Sequence, residues 1–160
     1  MNVRKLLTAE QIMQRDVFTL SPDDDVVHAV QTLLKKGVSG APVVQNGRVV
    51  GMFSERDSLA VLAAAAYEQE PRGKVAHHMR AEIRCVEPGT DLFELTRVFL
   101  ETLVRRIPVV GPEKQLLGLV LRSDVMHGLQ EAWCTESAQP RPEPRTPYEK
   151  IADRLADSGR

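Results

Sequence analysis

This chain of 160 residues contains an internal repeat, and the repeat limits which folds the chain can adopt. Pairs of identical residues recur at an offset of 66 residues, which becomes 67 after one extra residue in the second copy. The pairs are Met13 and Met79, Pro22 and Pro88, Asp25 and Asp91, Pro42 and Pro108, Gly51 and Gly118, and Asp57 and Asp124. Because their order and spacing persist, we predict two copies of one folding unit, at residues 8–67 and 74–133.

Each copy has the pattern of a β-α-β-β-α unit. Short apolar runs alternate with stretches in which apolar residues recur at helical spacing, and Asn46-Gly47 is typical of a hairpin turn. Asp25 and Asp91 stand where they can cap the first helix of each copy. The predicted elements are strands at Val17–Leu20 and Ile83–Val86, helices at Val26–Leu34 and Leu92–Leu103, hairpin strands that end at Val44 and Val110 and return at Val49–Phe53 and Leu116–Leu121, and second helices at Glu55–Ala66 and Ser123–Trp133.

Neither copy is large enough to bury much apolar surface alone. We therefore predict an α/β (α+β) fold in which two tandem β-α-β-β-α repeats pack with pseudo-two-fold symmetry. Two related clefts would lie between the repeats, and such an interface is a usual place for a small ligand. After the second repeat, we predict a proline-rich linker at residues 134–147 and a short C-terminal helix at residues 148–160.

The composition argues against several classes of function. The net charge is −1 and aromatic residues make up 4% of the chain, so neither phosphate neutralisation nor base stacking favours a nucleic-acid partner. No apolar run approaches the roughly 18 residues of a membrane helix, and Cys85 and Cys134 form no CxxC pair. We expect a cytoplasmic protein without a membrane partner, a metal site or a set of catalytic residues.

The strongest local motif is GMFSERD at Gly51–Asp57, which follows VSGAPVV at Val38–Val44. The second copy has VRRIPVV at Val104–Val110 and GLVLRSD at Gly118–Asp124. In their duplicated order and spacing, these motifs resemble the CBS (cystathionine-β-synthase) domain pair, also called a Bateman module. The resemblance implies a stand-alone regulatory module that binds an adenosine-containing ligand, forms a homodimer and is not an enzyme.

Ser54 and Asp57 suit ribose on chemical grounds as well. An ionised aspartate only accepts hydrogen bonds, and the 2′- and 3′-hydroxyls of ribose are two adjacent donors. The Ser54 hydroxyl adds a contact at the helix start, where unpaired N–H groups favour an anion. The alternative is structural, because Ser-x-x-Asp at a helix start is close to a capping box. The two roles can coexist.

The second copy has two adjacent arginines, Arg105 and Arg106, shortly before Pro108. Its segment Val104–Pro108 is similar to the His-Arg-hydrophobic-Pro segment of the γ subunits of AMP-activated protein kinase. That resemblance implies phosphate contacts for Arg105 and Arg106, and adenine contacts for Ile83 and Val104. Arg105 departs from the histidine of that segment, and both arginines can instead be solvated surface residues. The residues predicted for the main site are Ser54, Arg56, Asp57, Ile83, Val104, Arg105, Arg106 and Pro108.

The second cleft is predicted to be weaker, because Leu121 replaces the serine of the first copy while Asp124 is retained. The residues assigned to it are Val38, Ser39, Ala41, Pro42 and Asp124. We expect AMP, ADP or ATP as the ligand, with NAD and S-adenosylmethionine left open because they share the adenosine end, and no required cofactor. The alternative is a ligand-free module for dimerisation or for docking on an unidentified effector protein.

Overall fold

The computed structural model describes residues 7–68 and 73–137. The described residues up to Gly128 belong to one compact unit, and those from Leu129 onward belong to a second. The elements in chain order are helices α1 at Ala9–Ile12 and α2 at Val26–Lys36, strands β1 at Gly40–Gln45 and β2 at Arg48–Ser54, helix α3 at Glu55–Glu68, a 3-10 helix at Val75–His77, helix α4 at Leu92–Glu101, strands β3 at Arg106–Val110 and β4 at Leu116–Leu121, and helix α5 at Arg122–Ser137.

Both predicted hairpins are present, and they share the same irregularity. Strand β1 pairs antiparallel with β2, and β3 pairs antiparallel with β4. The register shifts at equivalent places, between Val43 and Val44 in one hairpin and between Val109 and Val110 in the other. The first turn, Asn46-Gly47, has positive φ at both residues, which asparagine and glycine adopt readily.

The two hairpins meet across an approximate two-fold axis. The Val49 N–H donates to the carbonyl oxygen of Lys114 at 2.9 Å, and the Leu116 N–H donates to that of Gly47 at 3.1 Å. These two hydrogen bonds are related to each other by the sequence repeat. Arg48 lies between these two hydrogen bonds and forms an antiparallel bridge with Gln115, its equivalent in the second repeat. This reciprocity is the pseudo-two-fold symmetry that the sequence predicts.

The prediction of a first strand in each repeat, at Val17–Leu20 and Ile83–Val86, is wrong. Each segment instead makes one parallel bridge to the hairpin of its own repeat. The bridges join Leu20 to Val43 and Val86 to Val109.

Proline explains why these ladders stop after one bridge. The Leu20 N–H donates to the carbonyl oxygen of Pro42 at 3.0 Å, and the Val44 N–H donates to that of Leu20 at 2.8 Å. The next hydrogen bond on either side would need the N–H of Pro42 or of Pro22, and proline has none. Prolines stand at the same two positions in the second repeat.

The first long helix of each repeat begins at a capping aspartate, as predicted. Asp25 accepts a hydrogen bond from the N–H of His28 at 2.9 Å, and Asp91 accepts from those of Phe93 and Glu94, each at 2.9 Å. The apolar stripe of each helix is buried, consisting of Val26, Ala29, Val30 and Leu33 in α2, and of Leu92, Leu95, Val98 and Phe99 in α4.

A short segment near the start of each repeat crosses to the hairpin of the other repeat. The backbone of Gln14 exchanges two hydrogen bonds of 2.9 Å with that of Leu119 on β4. The backbone of Arg80 does the same with Met52 on β2, again at 2.9 Å in both directions. Each hairpin is therefore flanked by chain from the other repeat, and the cleft beside β2 is built from both.

The C-terminal part of the prediction is tested only at its start. Helix α5 continues to Ser137, so the first residues of the predicted linker at 134–147 are helical. The rest of that linker and the predicted helix at 148–160 lie outside the described residues. In the described ranges, no helix is long and apolar enough to cross a membrane, and no cluster of three or more His, Cys, Asp or Glu side chains is arranged to hold a metal ion.

Candidate functional site

A cavity of about 530 Å³ lies between the two repeats, within the range of small-ligand sites. Its wall combines the β2–α3 junction of the first repeat with residues between 80 and 84 and between 102 and 108 of the second. All eight residues predicted for the main site lie on this wall, namely Ser54, Arg56, Asp57, Ile83, Val104, Arg105, Arg106 and Pro108. The structure thus brings them together, and their role in ligand binding stays a prediction.

Ser54 ends β2, and Asp57 lies in the first turn of α3. Asp57 Oδ2 accepts a hydrogen bond from the Ser54 backbone N–H at 2.8 Å and another from the Ser54 hydroxyl at 2.7 Å. The pair therefore makes the capping contact that the sequence allows. Asp57 Oδ1 accepts no hydrogen bond from a described residue, so the carboxylate keeps accepting capacity at the cavity wall.

Arg106 begins β3 and reaches across the interface into the first repeat. Its guanidinium donates to the Ser39 hydroxyl and to the Gly40 carbonyl oxygen. Burial lowers the pKa of Arg106 from its ordinary value, with Glu55 opposing this change and Arg105 adding to it. An arginine stays charged under such conditions, so Arg106 is a charged link between the two repeats.

Arg105, the neighbouring residue, is paired more loosely. Its Nη1 lies 3.6 Å from Glu55 Oε2, and both side chains are mostly exposed. Solvent screening makes such an ion pair weak. Arg105 is therefore held near the start of α3 by a contact that contributes little to stability.

Two separate stretches of the chain, residues 9–63 and 75–131, match the model of the CBS domain. The chain belongs to the CBS-domain family. Over 125 residues it is 28% identical to the inosine-5′-monophosphate dehydrogenase of Methanocaldococcus jannaschii, covering 78% of this chain and 24% of that enzyme. Over 118 residues it is 25% identical to the CBS domain-containing protein YhcV of Bacillus subtilis, covering 74% of this chain and 82% of that protein.

Solved structures of CBS pairs have the same fold. CBSX2 of Arabidopsis thaliana is 27% identical and superposes with a TM-score of 0.72, over 81% of this chain and 98% of that chain. CBSX2 has also been crystallised in complex with AMP; that structure is 27% identical, with a TM-score of 0.69 over 79% and 98% of the two chains. These likenesses confirm the predicted CBS-pair fold. Because the chain spans only 24% of the dehydrogenase, that match shows no catalytic domain here.

The second CBS repeat has the helix-start carboxylate without the hydroxyl. Asp124 Oδ2 accepts a hydrogen bond from the Leu121 N–H at 2.8 Å, the counterpart of the backbone bond that Ser54 makes in the first repeat. Leucine supplies no side-chain donor. The two helix starts therefore differ chemically, because a hydroxyl donor is present at Ser54 and absent at Leu121.

The other residues assigned to the second cleft lie in different surroundings, and their role in ligand binding stays a prediction. Ser39 lies on the wall of the main cavity, because Arg106 crosses the interface to reach it. Ala41 and Pro42 are buried, and Val38 packs against the core of the first repeat. None of these last three lies on the wall of the main cavity.

The cavity wall has a surplus of two positive charges. Its charged residues are Arg56, Arg80, Arg84, Arg105 and Arg106, and Glu55, Asp57 and Glu82. Sequence reasoning missed Arg80 and Arg84, because only the backbone crossing at Met52 carries their segment to the first repeat. The available signal was the alternation of Arg80, Glu82 and Arg84 around the predicted adenine contact Ile83.

Proposed function

We propose that this protein is a regulatory, non-catalytic CBS module that binds AMP, ADP or ATP in the main cavity. The observation that carries the proposal is that a carboxylate with an unused acceptor, on Asp57, shares one cavity with an arginine-rich wall. The ribose hydroxyls donate to Asp57, and the phosphates accept from the arginines. One small molecule that carries both groups is a nucleotide.

Two apolar side chains support a place for the base. Ile83 and Val104 are both half-buried and both line the cavity, so each can offer an apolar surface to one face of a purine. The relative CBSX2, which is 27% identical, is found in complex with AMP, and this supports adenine as the base. NAD and S-adenosylmethionine carry the same adenosine and are the competitors to test.

A regulatory role is supported by the kinds of protein in which similar CBS domains occur. The chain matches 24% of an enzyme in one relative and 82% of the CBS domain-containing protein YhcV in another. A module that recurs both within enzymes and almost alone fits a sensor better than a catalyst. We propose that it acts in the cytoplasm as a homodimer that relays nucleotide occupancy to an effector protein.

Thermal denaturation with a ligand panel tests the proposal. A ligand at 100 times its Kd adds about 2.7 kcal/mol to the free energy of unfolding, which raises the Tm of a chain this size by roughly 5–10 °C. We expect this shift with AMP, ADP or ATP and none with GMP, which has the same ribose and phosphate but a different base. If no adenosine compound shifts the Tm at millimolar concentration, the proposal fails and the docking alternative is favoured.

A further inference from the structure

The five arginines of the main cavity differ in whether the protein already uses them. Arg106 is bonded to Ser39 and Gly40, and Arg105 is paired with Glu55. A phosphate at Arg106 would compete with hydrogen bonds that link the second repeat to the first, whereas Arg105 has only its weak, exposed contact with Glu55. These are the two arginines that the sequence motif nominates for phosphate.

Arg80 and Arg56 have no such commitment. Within residues 7–68 and 73–137, neither side chain makes a hydrogen bond or an ion pair, and both are exposed on the cavity wall. The backbone of Arg80 is fixed by its two hydrogen bonds with Met52. Arg56 immediately precedes Asp57 in the first turn of α3. The two guanidinium groups therefore come from opposite repeats onto one wall.

The Arg84 side chain interacts with the described residues only through its charge. It is exposed on the same wall, and its charge contributes to the lowered pKa of Glu94, behind the hydrogen bond from Arg97. Its field is thus partly directed toward α4. Within the described residues the Arg84 side chain makes no hydrogen bond or ion pair either, so its donors are also open to a ligand. Arg80, through its backbone bonds to Met52, and Arg56, next to Asp57, are the two held beside the β2–α3 junction.

We propose that Arg80 and Arg56 bind the phosphoryl group of the ligand, whereas Arg106 is a structural link between the repeats and Arg105 pairs only weakly with Glu55. This inference rests on the proposed function, because it assumes that adenosine occupies the cavity. The assignment also predicts that the site prefers a phosphorylated adenosine to S-adenosylmethionine. A phosphate monoester carries up to two negative charges near neutral pH and matches the surplus of the wall, whereas the sulfonium of S-adenosylmethionine is positive and is repelled.

Calorimetric titration of AMP and adenosine into wild type and single arginine-to-glutamine variants tests the assignment. Charge-assisted hydrogen bonds make AMP bind wild type about 10- to 100-fold more tightly than adenosine. Arg80→Gln and Arg56→Gln should each remove about 10-fold of this advantage and leave adenosine affinity unchanged. Arg105→Gln should keep the AMP affinity within about 2-fold. Arg48→Gln is the matched control, because it removes the same charge from an exposed pair with Glu113 at the hairpin turn.

The results separate this inference from the proposed function. A larger loss of AMP affinity in Arg105→Gln than in Arg80→Gln overturns the assignment. Equal affinities of wild type for AMP and adenosine overturn it as well. In both cases the protein still binds adenosine, so the proposed adenosine site stands. Tighter binding of S-adenosylmethionine than of AMP also overturns it. Absence of binding by every adenosine compound overturns the inference together with the proposed function. The Tm of each variant without ligand shows that it is folded, and Arg80→Gln should match wild type because its backbone bonds are retained.

Discussion

Ser58 in α3 and Val125 in α5 occupy the same position of the two CBS repeats, and both side chains are buried. Only Val125 is apolar. The Ser58 hydroxyl has no hydrogen-bond partner in the part of the chain that the structure describes. A buried hydroxyl without a partner costs about 1–3 kcal/mol, so the first repeat has a weak point that the second does not share.

Replacing Ser58 with the residue of the other repeat should stabilise the protein. We expect Ser58→Val to raise the free energy of unfolding by about 1 kcal/mol and the Tm by about 2–4 °C, after a small helix-propensity cost. The reverse change, Val125→Ser, should lower stability by a comparable or larger amount. Thermal and urea denaturation measure both, and a destabilised Ser58→Val variant would show that the hydroxyl is satisfied in the folded protein.

Asp57 should contribute to both stability and binding, because one of its oxygens caps α3 and the other is unused. We expect Asp57→Ala to lose about 1 kcal/mol of stability and to weaken nucleotide binding about 10- to 100-fold. Asp124→Ala, at the equivalent position, should lose similar stability and much less affinity, because Leu121 offers no hydroxyl there. Titration calorimetry decides the matter, and unchanged affinity in Asp57→Ala would leave capping as the sole role of the carboxylate.

Gly51 and Gly118 should be intolerant of even one added methyl group. A β-carbon on Gly51 would lie 2.7 Å from Met79 Sδ and 2.9 Å from the Arg80 carbonyl oxygen, where the crossing segment meets β2. A β-carbon on Gly118 would meet the other crossing segment, 2.8 Å from the Gln14 carbonyl oxygen.

We expect Gly51→Ala and Gly118→Ala each to cost about 1–3 kcal/mol of stability, because the methyl group pushes on backbone that is held by two hydrogen bonds. Gly89→Ala is the control, since a β-carbon there meets no atom within 4 Å. Urea denaturation measures all three. If Gly51→Ala and Gly89→Ala have the same free energy of unfolding, the crossing segment can shift without cost.

How much the sequence predicts depends on whether a feature is local. Asp25 and Asp91 predict the starts of the helices that they cap, and Asn46-Gly47 predicts its hairpin, because each effect acts within a few residues. The first strands could have been doubted from the sequence, since Pro22 and Pro42 remove the N–H groups that a longer ladder needs.

The features that the sequence does not predict are tertiary. Nothing in the chain near Arg80 indicates that its backbone pairs with Met52, because that contact depends on how the two repeats cross. The same crossing places Arg80 and Arg84 on the cavity wall. The motif nominated Arg105 and Arg106, and only the structure shows that Arg106 is bound to Ser39 and Gly40.

Pairs of exposed apolar side chains at equivalent positions of the two repeats support a homodimer. They are Leu34 and Leu100, which are 72% and 83% exposed, and Leu59 and Met126, which are 69% and 65% exposed. A surface that is present twice about a pseudo-two-fold axis can pair with the same surface of a second copy. Burial of a leucine side chain contributes about 1.5–3 kcal/mol before the cost of association is subtracted, so these leucines are the residues whose loss should weaken a dimer most.

The double variant Leu34→Lys/Leu100→Lys should therefore be monomeric, with a dissociation constant at least about 10-fold above that of wild type. Leu117→Lys is the control, because it makes the same chemical change at an exposed leucine on β4. Sedimentation velocity over a range of concentrations measures the equilibrium, and circular dichroism shows whether the variants are folded. A monomeric wild-type protein at micromolar concentration contradicts the proposal outright. Equal dissociation of Leu117→Lys would place the contact on a different face, because the helical leucines would then have no special role.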